Sequence, residues 1–261
     1  MLYSDEDKLD SDSGQYFDLH KKYNFNYDLL LTNNYICHLL LIKTEILDKI
    51  RLRKEFDGAQ DYDLVLQVVR NIVGEKKVPI SRLNEHIIHV NKVLYHWRSH
   101  VNSTAANTDS KLYAYEAGLR ALEEHIKLMH EQETDRQETR GKEAGSQEIQ
   151  ILHSKHLGFY TIKWGDRPED IFKYRPEIGA IIGRVLNKSG RMTRCIQNET
   201  GQWLYEGINN HFSGELNRFD CAQDVYSADM AHMIKRPELP DDYDSDKLRE
   251  EGYLILYMPN A

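Results

Sequence analysis

Apolar positions along the chain fall into short runs and periodic stretches, separated by polar segments. The opening MLYSDEDKLDSDSG is acidic and serine-rich and reads as a loop or a frayed edge. Residues 33–42, NNYICHLLLI, form an apolar run of strand length, followed by the charged, helix-like TEILDKIRL. Asp57-Gly58 is a turn signal. In QDYDLVLQVVRNI, Leu64, Val68 and Ile72 share one helical face with Val65 and Val69 beside them, which predicts an amphipathic helix. Asp61 stands at its expected N-cap, and Asp63 suits the positive end of the helix dipole. IIHVNKVLYHW is β-rich and predicts a strand ending near His96–Arg98, before the polar loop RSHVNSTAANTDS. Leu112, Tyr115, Leu119, Leu122, Ile126 and Met129 recur at spacings of three and four, the pattern of a helix with a packing seam.

Residues 131–150 carry a single apolar residue besides alanine and two glycines, so they read as a linker, either a solvated helix or a tether. Beyond them, EIGAIIGRVL and GQWLYEGI read as strands punctuated by Asn-Lys-Ser-Gly and Asn-Glu-Thr-Gly turns. SDKLREEGYLILYMPNA reads as a short helix, a glycine turn and a closing strand. Strands alternate with helices throughout, which predicts an α/β class.

Composition narrows the functional classes. A hydrophobic content of 40% with 29% charged residues suits a soluble globular protein. The formal net charge of −8 argues against nucleic acid as a partner, because such surfaces need a basic face. Cys37, Cys195 and Cys221 lie far apart with no metal-ligand spacing and read as inert thiols in a reducing cytoplasm. The N-terminus has no apolar signal region, and no window approaches the roughly 18 apolar residues of a transmembrane segment. The expected location is cytoplasmic, with any membrane contact peripheral at the inner face.

Five motifs then occur in one order without large gaps: YSDEDKLD, NYICHLLLIK, EFDGAQDYDLVLQV, KVLYHWRSHVNSTA and YAYEAGLRALEEH. Over residues 1–130 they resemble the second, acceptor-side half of the catalytic domain in family 2, GT-A-type bacterial glycosyltransferases that build rhamnan or O-antigen polysaccharides. After the linker, FYTIKW resembles the lead into a second tandem module. RPEIGAIIGRVLNKSGRM, WLYEGINNHFSG, QDVYSADMAHMIKRPEL and KLREEGYLILYMPNA resemble the later part of that module. The resemblance implies a partial GT-A-like mixed sheet flanked by helices over 1–130, a polar linker at 131–150, and a smaller α/β or α+β segment at 151–261. It further implies that the nucleotide-binding, donor-side half of each module is missing.

The same resemblance implies inverting transfer from a nucleotide sugar to a growing glycan acceptor, assisted by a divalent metal, Mn or Mg. Asp61 matches the family's general base, the carboxylate that takes the acceptor hydroxyl proton; from the residues alone it reads as a helix cap. His96, Arg98, His100, Ser103 and Thr104 match the segment that closes over the donor diphosphate and its metal, where Arg is a natural phosphate ligand. Asn34, Tyr35 and His38 would line the acceptor pocket. Asp5-Glu6-Asp7 has the letters of an Asp-x-Asp metal motif but the wrong family position. Asp241 falls near a base-like position in the second segment, within an acidic stretch that reads as a solvated loop. The alternative to an enzyme is a non-catalytic remnant or subunit that binds a glycan acceptor or a partner transferase. An acceptor-side half leaves a sheet edge open, which invites a second copy or a complementary polypeptide.

Overall fold

The computed structural model of the chain describes residues 1–99, 112–137 and 149–261. In chain order the first elements are β1 (Leu2–Asp10), β2 (Tyr16–His20), α1 (Tyr27–Thr32), β3 (Leu40–Leu41), α2 (Thr44–Leu47), α3 (Gln60–Gly74), β4 (Ile88–Ser99) and α4 (Leu112–Gln137). There follow β5 (Gln150–His153), β6 (Tyr160–Lys163), β7 (Ile178–Ile182), β8 (Ile196–Gln197), β9 (Gln223–Val225), β10 (Ser227–Ala228), β11 (Met233–Lys235), α5 (Ser245–Glu250) and β12 (Leu254–Tyr257). The fold is mixed α/β and divides into two compact units. Unit 1 holds Met1–Asn26 and the chain from Asn33 through α4; unit 2 holds α1 and the chain from β5 onward. Among the described residues, no helix is long and apolar enough to cross a membrane.

The spine of unit 1 is the acidic opening segment. β1 pairs in parallel with β4 along its length, antiparallel with β3 at its start and antiparallel with β2 at its end. The loop expected there from its polarity is therefore a central strand, with Tyr3, Ser4, Asp5 and Glu6 all buried. Local composition misleads because each acidic side chain meets a distant cation or N–H donor, which removes the cost of burying it. The converse error occurs at 33–42. Only Leu40–Leu41 is strand; Tyr35 and Ile36 are buried in irregular backbone, and Cys37 adopts a φ of 39°. Apolar character there reports burial and not a ladder. The helix expected in TEILDKIRL shrinks to the four residues of α2.

α3 and α4 follow their periodicity. α3 buries Val65, Leu66, Val68, Val69 and Ile72, and α4 buries Ala117, Ala121, Leu122, Ile126 and Met129. Leu112, which begins the expected seam, is 58% exposed, so the packed face starts about one turn later. Gly58, with φ of +93°, sits where a Cβ would come within 2.6 Å of Tyr113 and 2.9 Å of the Ala114 backbone. No side chain fits there, and the turn signal before α3 is also a packing requirement. Arg53 donates to both carboxylate oxygens of Asp63 and, through Nη1, to Glu124 of α4 at 2.7 Å. Asp63 stands in the first turn of α3, as expected, and is also a buried ion-pair partner.

Unit 2 is built on a sheet of order β11-β7-β12-β9, in which β7 and β12 are parallel. Every residue of β7 and β12 is buried, and Ala180, Ile182, Ile255 and Tyr257 pack with Phe219, Val225 and Leu248 in one core. The two Asn-led turns close as their sequences imply. Asn187 Oδ1 accepts from Ser189 N, Ser189 Oγ and Arg191 N, and Asn198 Oδ1 repeats the pattern with Thr200 and Gln202 N. GQWLYEGI is not a strand: Trp203 makes one isolated bridge to Gln197, and Tyr205 turns the chain with a φ of 60°. Asp244 caps α5 by accepting from Lys247 N at 3.0 Å, while Asp241 is exposed in the loop before it.

α1 is held in unit 2 by a buried ion pair. Arg175 donates to Asp28 Oδ1 at 2.9 Å and Oδ2 at 3.4 Å, lies 5.0 Å over the Tyr27 ring, and also pairs with Glu177. Burial opposes the Arg175 charge, but Asp28 and Glu177 outweigh it and raise its pKa above the ordinary value. Arg175→Met would leave the Asp28 carboxylate buried without its cation. The expected cost is about 3–5 kcal/mol of unit 2 stability, read from urea unfolding; a change below about 1 kcal/mol would show that the pair is not structural.

Candidate functional site

The residues singled out by sequence divide between two places. Asn34 and Asp61 meet at the N-terminal end of α3, while Tyr35 and His38 follow Asn34 in the loop. Asp61 is the second residue of α3, not its cap; the cap position is Ala59 and carries no side-chain cap bond. The half-buried Asp61 carboxylate instead accepts from Asn34 Nδ2 at 2.9 Å through Oδ2. Asn34 holds the loop as well, since its Oδ1 accepts from Cys37 N at 3.4 Å and its backbone carbonyl from Cys37 Sγ at 3.1 Å. Tyr35 is structural: it is buried edge-on to Tyr3 and its hydroxyl accepts from Asn26 N at 2.9 Å.

His38 lies at the other end of the loop. Its ring stacks on Tyr95 with centroids 4.8 Å apart and meets Trp97 edge-on at 4.6 Å. Its Nδ1 is buried with no hydrogen-bond partner among the described residues. Tyr95 and Trp97 are alternate residues of β4, so they share one face of the strand. His96, between them, points to the opposite face, where it bonds Asp7 and packs on Tyr16 at 4.5 Å. Arg98 is exposed on β4, two residues on from His96. His100, Ser103 and Thr104 lie outside the described residues. His96 thus lies on the opposite face of β4 from Tyr95, Trp97 and the His38 ring.

Sequence reasoning missed the groups that fix the loop. Lys22, with a fully buried side chain, donates to the backbone carbonyls of Ile36 and His38 and pairs with Glu6 at 3.4 Å. Glu6 also accepts from His20 at 3.1 Å and from His38 N at 3.2 Å, and bonds the Trp97 side chain. Asp5 accepts from Lys22 N at 2.9 Å and His89 Nε2 at 2.7 Å. A clue lay in the alternation itself, which places Tyr95 and Trp97 together on β4, but nothing local marks Lys22. Burial pushes the Cys37 thiol above its ordinary range, and the negative charges of Glu6 and Asp61 add to that shift. Cys37 is thus a protonated thiol and no nucleophile.

Among the described residues no group of three or more His, Cys, Asp or Glu side chains is placed to hold a metal ion. The Asp5 and Asp7 carboxylates are already engaged by His89, Lys22 and His96.

Against this geometry the likenesses to known proteins can be set. The uncharacterized protein y4gI of Sinorhizobium fredii (strain NBRC 101917 / NGR234) is 39% identical over 127 residues, which is 48% of this chain and 13% of that protein. The O-antigen biosynthesis protein RfbC of Myxococcus xanthus is 34% identical over 130 residues, 48% of this chain and 9% of that protein. The aligned part of the chain spans about a tenth of the length of these curated relatives. No family model and no solved structure matches the chain.

The buried charge that positions the loop makes the site acid-sensitive. Burial works against ionised Glu6, but the bonds from His20 and Trp97 and the Lys22 charge outweigh it, and its carboxyl lies below the ordinary 4.5. A depressed folded-state value gives stability that is complete above about pH 4.5 and is lost as pH falls through the folded value. Glu6→Gln should therefore be less stable than the parent near neutrality, with the gap closing in acid. Urea midpoints measured from neutral pH downward test this; a gap that stays constant with pH would refute it.

Proposed function

We propose that unit 1 is the acceptor-side part of a sugar-transferring domain serving bacterial surface-polysaccharide synthesis, with Asp61 as its general base. The observation that carries this reading is the state of the Asp61 carboxylate. One oxygen is oriented by Asn34, and no other hydrogen bond from the described residues occupies the group. Asp5, Glu6 and Asp63 are each engaged by two or more donors and serve the fold. A base must keep a lone pair open for the proton it removes, and Asp61 does. The likeness to a protein of O-antigen biosynthesis supports a polysaccharide as the product.

In this reading the acceptor sugar lies against the aromatic surface of His38, Tyr95 and Trp97. Trp97 is 40% exposed, and its indole offers an apolar face to the C–H side of a pyranose. The acceptor hydroxyl approaches the open oxygen of Asp61, which takes its proton as the oxygen attacks the anomeric carbon of a nucleotide sugar. The departing diphosphate needs cations and hydroxyls to stabilise its charge. His96, and by alternation Arg98, face away from this acceptor surface. Among the sequence candidates that role is left to His100, Ser103 and Thr104.

Asp61→Asn keeps the shape and the Asn34 contact but removes the basic oxygen. Transfer from nucleotide sugar to glycan acceptor is expected to fall by about 10²-fold or more, with an unchanged unfolding midpoint. Near-parental turnover would return Asp61 to a purely structural role. Trp97→Ala should raise KM for the acceptor while leaving kcat nearly constant, since it removes binding surface remote from the bond being made.

A further inference from the structure

The chain leaves unit 1 after Asn26, gives α1 to unit 2 and re-enters unit 1 at Asn33. Covalent continuity therefore ties both ends of α1 to unit 1. Before the helix, Asn26 N donates to the Tyr35 hydroxyl at 2.9 Å. After it, the Asn33 carbonyl accepts from Tyr35 N at 3.0 Å. Asn34, whose Nδ2 orients Asp61, is the second residue beyond Thr32, the last of α1.

α1 does not hold its own place. It has six residues, well short of the roughly 12–15 at which an isolated helix becomes marginal in water. Asp28, Leu31 and Thr32 share one face of it, at spacings of three and four, and line a cavity of about 460 Å³ within unit 2. A face that lines a cavity makes fewer close contacts than one pressed onto a core. The directional hold comes from Arg175, which donates to both Asp28 oxygens and covers the Tyr27 ring, so one guanidinium grips two consecutive residues of the helix. Such a fork fixes orientation as well as distance. Arg175 is itself fixed. Its backbone carbonyl accepts from Arg236 Nη2 at 2.9 Å and from Ile178 N at 3.1 Å, and Ile178 opens the wholly buried strand β7.

Asn34 is thus held from two sides. Downstream, Lys22 clamps the loop through the carbonyls of Ile36 and His38. Upstream, the connection runs from β7 through Arg175 and Asp28 to Thr32 and Asn33. We propose that Arg175 is a positioning residue for Asp61: by gripping α1 it fixes the backbone at Asn33 and Asn34 and keeps Asn34 Nδ2 aimed at Asp61 Oδ2. Unit 2 in this way sets the geometry of a carboxylate in unit 1. The effect on turnover rests on Asp61 as general base; the effect on Asn34 does not.

The test uses the ¹⁵N-labelled full chain. The Asn34 side-chain amide signal, assigned by its loss in Asn34→Asp, reports the bond to Asp61, and its position in Asp61→Ala marks the released state. Arg175→Lys keeps the charge but not the two-oxygen fork, and Asp28→Asn keeps the shape but not the charge. Leu248→Ala is the control, because it loosens a unit 2 core cluster that contains no α1 residue. Arg175→Lys and Asp28→Asn should move the Asn34 signal toward its released position, while Leu248→Ala leaves it at the parental one. The same two variants should lower kcat for transfer by about tenfold or more, with the KM for acceptor little changed. The proposal is overturned if the Asn34 signal stays parental in both variants, or if Leu248→Ala moves it as far as they do. A moved signal with parental turnover would uphold the positioning of Asn34 by Arg175 and overturn Asp61 as the base.

Discussion

Lys22 places an ammonium group fully out of water in unit 1, and much of that unit is arranged around it. A buried cation is tolerable only when a counter-charge and further acceptors replace its hydration. Glu6 supplies the charge, and the carbonyls of Ile36 and His38 supply the acceptors. Those carbonyls belong to the irregular loop that carries Asn34, Cys37 and His38. The ion pair thus clamps an otherwise unladdered segment onto β1, which in turn pairs with β4 and its Tyr95 and Trp97. Burial of one lysine fixes the loop, and the loop fixes the orientation of Asp61.

The acidic residues of the chain sort by how many donors they hold. Asp5, Glu6, Asp63 and Asp170 are each bound by several groups, and for Asp170 the bonds from Lys173 and Arg167 N bring its carboxyl down to about 2. Such carboxylates organise structure and have little capacity left for proton transfer. Asp61 has one partner, which aims it without saturating it. Asp28 and Asp220 stand between these extremes. Both are held by cations and line the unit 2 cavity.

Unit 2 relies less on buried charge and more on apolar strands. β7 and β12 are continuous buried runs, and the free thiols near them behave as small apolar groups; burial pushes Cys221 up to about 11. A buried ion pair from Arg175 grips α1. That tie brings a six-residue helix from early in the chain into a unit otherwise made from its last part. Without α1 the cavity would lose Asp28, Leu31 and Thr32 from its wall.

Elements set by local periodicity were legible from the residues: α3, α4 and β4, the buried strand β7, the Asn-led turns, and the closing α5, glycine turn and β12. In these the spacing of apolar positions matches the geometry of the element, and no distant partner is needed to decide it. The α/β class followed from the same patterns. What the sequence could not settle was where charges end up. β1 looks like a loop because Asp5 is reconciled with burial only by His89, 84 residues away. α1 joins unit 2 through Arg175, 147 residues beyond Asp28, and no local signal encodes that contact. Asp61 could be placed at the start of a helix, but its Asn34 partner and its open oxygen came from tertiary contact. Apolar pattern is written in consecutive residues; the desolvation of a charge is decided by whichever group the fold brings to it.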